Sequence, residues 1–247
     1  MASSAPSPPL GVATALVAAL LACKKEAPPA PDPPPPPPAA SAATRCGPGI
    51  DVDPGAGEFK PAVTAFKDKD YATTRRLLAT MADKYPKSAK VRVWAGDAHL
   101  YEKSTDAAAD ASLPYYKRAL ELHAEGCPLD EVEHYYLLLG IANAYLRKRD
   151  AASAVPHLED SVKRWPNSAQ GFYVLARAQC GAGNVEGCLT SFEKALTVAK
   201  RAQRPAFLRT HYSLDDWIRM SARQSEFVKL RLNPGYAKAI REAKKDD

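Results

Sequence analysis

Two stretches of the chain repeat one order of large apolar, small and polar positions, 34 residues apart. Leu137–Ser168 reads LLLGIANAYLRKRDAASAVPHLEDSVKRWPNS, and Gly171–Lys200 reads GFYVLARAQCGAGNVEGCLTSFEKALTVAK. In register, Ile141, Ala142 and Tyr145 fall over Leu175, Ala176 and Gln179. Asp150 falls over Asn184, Ala154 over Cys188, Leu158 over Phe192 and Ser161 over Ala195. The apolar residues recur at helical spacing on both sides of a polar turn, so each stretch predicts a pair of helices. The matched small residues let the two helices approach closely, and the matched large ones fill the space towards the next pair. A single pair cannot bury its own apolar face, so the pattern predicts stacked pairs.

The pattern extends backwards. Lys69-Asp70-Tyr71 predicts a turn into a second helix, with Leu78 and Pro86 in register. Gly96 takes the small position of the following unit, whose second helix reads SLPYYKRALELH with Tyr116 and Ala119 in register. That unit carries about four extra residues, read as an internal loop around STDAAADAS, and about eight after it around AEGCPLDE. The count is four units, 55–87, 88–133, 134–167 and 168–201, within a repeat region 55–204. Beyond it, THYSLDDWIRMSA predicts a helix packed through Trp217. Phe227, Leu230, Tyr236 and Ile240, broken by Asn233-Pro234-Gly235, complete a capping region 205–247.

These spacings resemble the tetratricopeptide repeat (TPR) family. Glu226-Phe227, Leu230-Arg231, Asn233-Pro234 and Tyr236 resemble the segment that closes some bacterial TPR arrays. The resemblance implies an all-α, TPR-like helical-hairpin solenoid of about four repeats plus C-terminal capping helices, after a disordered N-terminal region. It also implies a protein or peptide partner held on a concave face lined by the first helix of each hairpin. Carried over position by position, that face holds Lys90, Val93, Trp94, Asp97, Leu100 and Tyr101 in the second repeat. It holds Tyr136, Leu139, Asn143 and Arg147 in the third, and Gln170, Tyr173 and Arg177 in the fourth. Asn143 matches one member of the basic clamp that some TPR proteins use for terminal carboxylates. Val93 and Leu139 stand where its lysines belong, so a carboxylate clamp is not implied.

The N-terminus reads differently. Leu10–Ala22 is a 13-residue, largely apolar stretch, too short for a membrane span and suited to the core of a signal peptide over 1–22. Leu20-Leu21-Ala22-Cys23, followed by Lys24-Lys25, resembles a bacterial lipoprotein signal, although Leu21 is bulkier than usual and MASSAPSPP lacks the usual positive charge. The resemblance implies that Cys23 is lipidated and that the chain is held on a bacterial membrane through a lipid anchor. Lys24 in place of Asp implies the outer membrane, facing the periplasm. Residues 23–54 follow as a proline-rich linker, with nine of the 22 prolines between Pro28 and Pro38. In polyproline II geometry, at about 3.1 Å per residue, that tract spans roughly 34 Å.

Charge and chemistry narrow the function. Twelve basic and six acidic residues lie between Lys200 and Asp247, which accounts for the whole net charge of +6. This end predicts either a solvated helix face or, as an alternative function, contact with cell-wall polymer or another anionic envelope ligand. No recognition motif accompanies the charge, so no nucleic-acid partner is expected. The five histidines form no HExxH, no nucleophile motif stands beside them, and Gly181-Ala182-Gly183 reads as a connecting turn rather than a phosphate loop. The sequence predicts a non-enzymatic protein with no cofactor and no metal site. Cys180 and Cys188 fall on the two helices of one hairpin. They are candidates for a disulfide in an exported protein, or alternatively two small buried thiols.

Overall fold

The computed structural model describes residue 46 and residues 52–201, 204–208 and 212–245. The signal-peptide reading, Cys23 and the proline tract lie outside the described residues. Among those described there are eleven α-helices, one 3-10 turn and no strand.

The first eight helices form four hairpins: α1 (Ala56–Lys67) with α2 (Tyr71–Lys84), α3 (Ala89–Leu100) with α4 (Asp106–Ala124), α5 (Glu131–Arg147) with α6 (Ala151–Arg164), and α7 (Ala169–Gly181) with α8 (Val185–Lys200). Local chemistry sets these bounds. Asp70, Ser88, Thr105, Asp130, Asp150, Ser168 and Asn184 each stand just before a helix, and each side chain accepts the backbone N–H three residues on. Three hairpins share one tight turn. Lys69, Arg149 and Gly183 adopt left-handed φ values of 61°, 59° and 86°. The next residue in each case, Asp70, Asp150 or Asn184, donates its N–H five residues back, to Ala65, Tyr145 or Gln179. Glycine takes this conformation freely, whereas Lys69 and Arg149 hold it at some cost.

The second hairpin departs from the sequence reading. The extra residues around STDAAADAS are not a loop: α4 begins at Asp106 and runs for 19 residues. Thr105 caps it, and the alanines that follow have high helix propensity, so the helix extends backwards through them. The third hairpin starts at Glu131 rather than at 134, because Asp130 and Glu133 form a reciprocal capping box.

The core is a series of layers between successive hairpins. Phe59, Leu78, Met81 and Val91 form the first, and Leu100, Tyr116, Leu137 and Ile141 the second. Leu139, Leu158, Val174 and Leu175 belong to the third. In the second layer the fully buried ring of Tyr116 lies against two glycines. A Cβ on Gly96 would stand 2.5 Å from Tyr116 Cε1, and one on Gly140 would stand 2.6 Å from its Cζ. The ring from α4 thus occupies the space where α3 and α5 approach each other.

The C-terminal region packs on the fourth hairpin as α9 (Leu214–Arg223), the 3-10 turn Ser225–Phe227, α10 (Val228–Arg231) and α11 (Pro234–Lys244). Phe227 is fully buried, with ring centroids 5.4 Å from Tyr173 and 5.7 Å from Phe192. Trp217 lies against Tyr173, and Tyr236 stacks on Phe192. Phe207, in the segment leading to the cap, reaches back to Tyr135 and Trp165 of the third hairpin.

Two disulfides close the described chain. Cys180 and Cys188 join α7 to α8 with Cα atoms 5.1 Å apart, and Cys46 joins Cys127 in the loop between α4 and α5. The second pairing spans 81 residues, and no spacing rule points to it.

Gly140→Ala is expected to lower stability by about 1–3 kcal/mol, because the new methyl overlaps a ring with no room to move. Gly57→Ala is the control, since a Cβ there meets nothing within 4 Å. Urea denaturation of both variants checks the difference. Thiol titration of the unreduced, denatured chain should find no reactive thiol at Cys46, Cys127, Cys180 or Cys188.

Candidate functional site

The first helices of three hairpins present side chains to a common groove. α3 contributes every third or fourth residue, Lys90, Trp94, Asp97 and Tyr101, so all four lie along one helix face. α1 adds Phe59, Val63 and Phe66, α2 adds Tyr71, and α5 adds Val132, Glu133 and Tyr136, with Asp130 at its cap. The space enclosed is about 600 Å³.

Its walls are mainly aromatic and interlock edge to face. Phe59 and Phe66 meet Trp94 at centroid distances of 5.4 and 5.3 Å, and Phe66 meets Tyr71 at 5.5 Å. Such pairs favour edge-to-face geometry and hold each other's orientation. Tyr101 remains 45% exposed, so a large apolar surface faces solvent there.

The charged groups are few and unequal. At one side the Lys90 ammonium meets Glu133 at 2.6 Å and also lies over the Phe59 ring. Burial raises the Glu133 carboxyl, and the Lys90 ammonium opposes that rise. Asp97 differs. It lines the groove half-buried, and its Oδ1 accepts a hydrogen bond of 2.6 Å from the Tyr116 hydroxyl. Burial pushes its carboxyl up to about 7, and the Tyr116 hydrogen bond opposes that only in part. No ion pair involves Asp97 among the described residues.

The residues expected on the partner-binding face therefore divide. Lys90, Trp94, Asp97, Tyr101 and Tyr136 line the groove. Leu139 is 2% exposed, because its face of α5 packs against α6 and α7 in the third core layer. Tyr173 is 3% exposed, covered by Trp217 and Phe227 of the cap. Arg177 is engaged from the same direction, its Nη2 lying 2.6 Å from Glu226 Oε1. Arg147 donates to the carbonyls of Leu100 and Lys103. Gln170 accepts from Tyr135, and Asn143 is half-buried on α5 outside the groove lining. Val93 and Leu100 are buried, Val93 forming part of the groove floor. The contributions of α1, Tyr71, Asp130 and Glu133 were missed. The repeat pattern was traced into the first hairpin only from its second helix, and the boundary at 134 cut off the start of α5. Among the described residues no group of three or more His, Cys, Asp or Glu could hold a metal ion.

No protein family matches the sequence, and no curated protein does. Among solved structures, yeast Tom70 is similar in fold, with a TM-score of 0.51 and 21% identity over 75% of this chain. The matched part spans 36% of that protein. A structure titled "MamA RS-1 ArsTM double mutant" matches with a TM-score of 0.48 and 13% identity, over 76% of this chain and 96% of the other. The fold is a TPR-type helical-hairpin solenoid, closed at its C-terminal end by capping helices.

A raised carboxyl has a defined consequence for stability. The folded chain holds the Asp97 proton more tightly than the unfolded chain, where the ordinary value is 3.8. Its contribution to stability is full below pH about 4 and is lost as pH rises through about 7. Asp97→Asn, which keeps an acceptor for Tyr116, should raise the melting temperature at pH 8 and give no gain at pH 4.

Proposed function

We propose that the protein is a non-enzymatic interaction scaffold of the bacterial cell envelope, held by a lipid on Cys23, and that the groove of α1, α3 and α5 grips a partner protein. The observation that carries this reading is the open aromatic groove across the first three hairpins. Trp94, Tyr101 and Tyr136 line it and Tyr101 remains 45% exposed, whereas Tyr173 and Arg177 of the fourth hairpin are covered by the chain's own Phe227 and Glu226. Exposed aromatic clusters of this kind are typical anchors for protein partners.

Two features support the envelope part of the proposal. Disulfides persist in oxidising compartments, and two are present here. They use four of the five cysteines, and the one left over is Cys23, the residue that the lipoprotein-like motif requires. The alternative, an anionic polymer bound by the basic C-terminal end, has less support. Lys244 pairs with Asp215, Lys245 with Glu242 and Arg219 with Asp216, while Arg231 donates to the carbonyls of Ser221 and Gln224.

Affinity capture from envelope extracts tests the scaffold. Tyr101→Ala should weaken a stoichiometric protein partner about tenfold or more without a change in melting temperature, and Leu232→Ser, 81% exposed on the cap, should not. Retention by both variants overturns the assignment of the groove. For the anchor, Cys23→Ala in a bacterial host should abolish fatty-acid labelling and move the protein from membrane to soluble fractions. Continued labelling overturns it.

A further inference from the structure

Asp97 and Arg177 occupy the same place in their hairpins. Each is the ninth residue of a first helix, α3 or α7, and each helix follows a serine cap, Ser88 or Ser168. Gly96 and Ala176 precede them as the small residues where the paired helix packs. At Arg177 the position is filled from within the chain. Glu226 meets the guanidinium through two nitrogens, at 2.6 and 3.2 Å, and the next residue, Phe227, inserts its ring between Tyr173 and Phe192. Phe227 there takes the place that Leu137 and Ile141 of α5 take beside Val93 and Tyr116 in the second hairpin, so what the two hairpins share is the ninth position and its charge.

At Asp97 the sign is reversed, and the carboxylate faces the groove without a charged partner among the described residues. Tyr116 supplies one neutral hydrogen bond, and no cation pairs with the carboxylate among the described residues. Lys90 is taken by Glu133, and Arg147 is taken by two backbone carbonyls. The four charged residues lining the groove, Lys90, Asp97, Asp130 and Glu133, leave it net negative. Trp94 and Tyr101 stand one turn to either side of Asp97 on the same face of α3, and Tyr136 lines the groove from α5. Aromatic rings around a carboxylate suit an organic cation, which they attract through their faces.

We propose that the groove takes an extended segment of a partner protein in which a lysine or arginine, paired with Asp97, stands beside a large apolar residue that enters the aromatic wall. This rests on the scaffold reading above and adds the chemistry of the partner. A carboxylate kept in an apolar setting, where its charge opposes folding, is a feature of binding sites rather than of cores.

The probes are fluorescein-labelled heptapeptides Gly-Ser-Xaa-Phe-Val-Ser-Leu with Arg, Gln or Glu at Xaa, titrated onto the full chain at pH 8 and low salt. The Arg peptide should bind about tenfold more tightly than the Gln peptide, with the Glu peptide weakest. Asp97→Asn should abolish the preference of Arg over Gln at an unchanged fold, checked by circular dichroism. Asp97→Lys, which restores the sign found at Arg177, should favour the Glu peptide. The preference for Arg should shrink between pH 8 and pH 6 as Asp97 takes up a proton. The other titratable or charged groups around it are Tyr71 of α2, Lys90 and Tyr101 of α3, Tyr116 of α4, Asp130 at the cap of α5, and Glu133, Tyr136 and Arg147 of α5. Equal binding of all three peptides, lost on Tyr101→Ala, overturns the charge assignment while leaving the groove as a docking surface. Absence of binding by all three, with partner capture also unaffected by Tyr101→Ala, overturns both. Self-association that is lost on Tyr101→Ala and not displaced by the Arg peptide places a second copy in the groove and overturns the proposal.

Discussion

The ring of Tyr116, set between Gly96 of α3 and Gly140 of α5, ties the packing of this solenoid to its exposed face. Two first helices approach each other across it because neither has a side chain in the way. That approach brings α3 and α5 side by side, so that Trp94, Asp97 and Tyr136 share one groove. The same ring ends in a hydroxyl that reaches the Asp97 carboxylate. A core residue thus fixes the spacing of the groove walls and also orients a groove carboxylate that has no ion pair among the described residues.

Much of the architecture was legible in the order of residues. The 34-residue register placed the hairpins, because large and small positions must alternate wherever helices stack against like helices. What failed was the assignment of residues in excess of that register to a loop. Asp106–Ser112 has the small and polar residues of a loop, yet a capping threonine and a run of alanines make it helix. The site was half legible. Lys90, Trp94, Asp97, Tyr101 and Tyr136 follow from the contact positions that the TPR resemblance carries onto the first helices. Tyr173 and Arg177 occupy such positions too but are covered, since nothing local to them records that a segment some 50 residues later folds back over them. The Cys46–Cys127 bond was out of reach for the same reason, distance along the chain.

The C-terminal end of the solenoid is closed, and the groove across its first three hairpins is not. A stacked array always leaves a last apolar face. Here the chain covers its C-terminal face with its own cap, through Trp217, Phe227 and Tyr236. The face made by the earlier hairpins keeps its aromatic side chains in contact with solvent. Reversal of charge between Arg177 and Asp97 separates the two surfaces, so the segment that fits one is electrostatically wrong for the other.

The Cys46–Cys127 bond also determines how the molecule carries force. It closes a covalent ring that contains α1, α2, α3 and α4. Tension arriving from the N-terminal side of Cys46 passes through the sulfurs to the loop before α5 and bypasses the helices inside the ring. Three of the four elements that wall the groove, α1, α2 and α3, lie in that unloaded loop. Tension drawn along the chain from one side of the ring to the other therefore leaves the backbone of those three helices slack, and the groove walls keep their spacing.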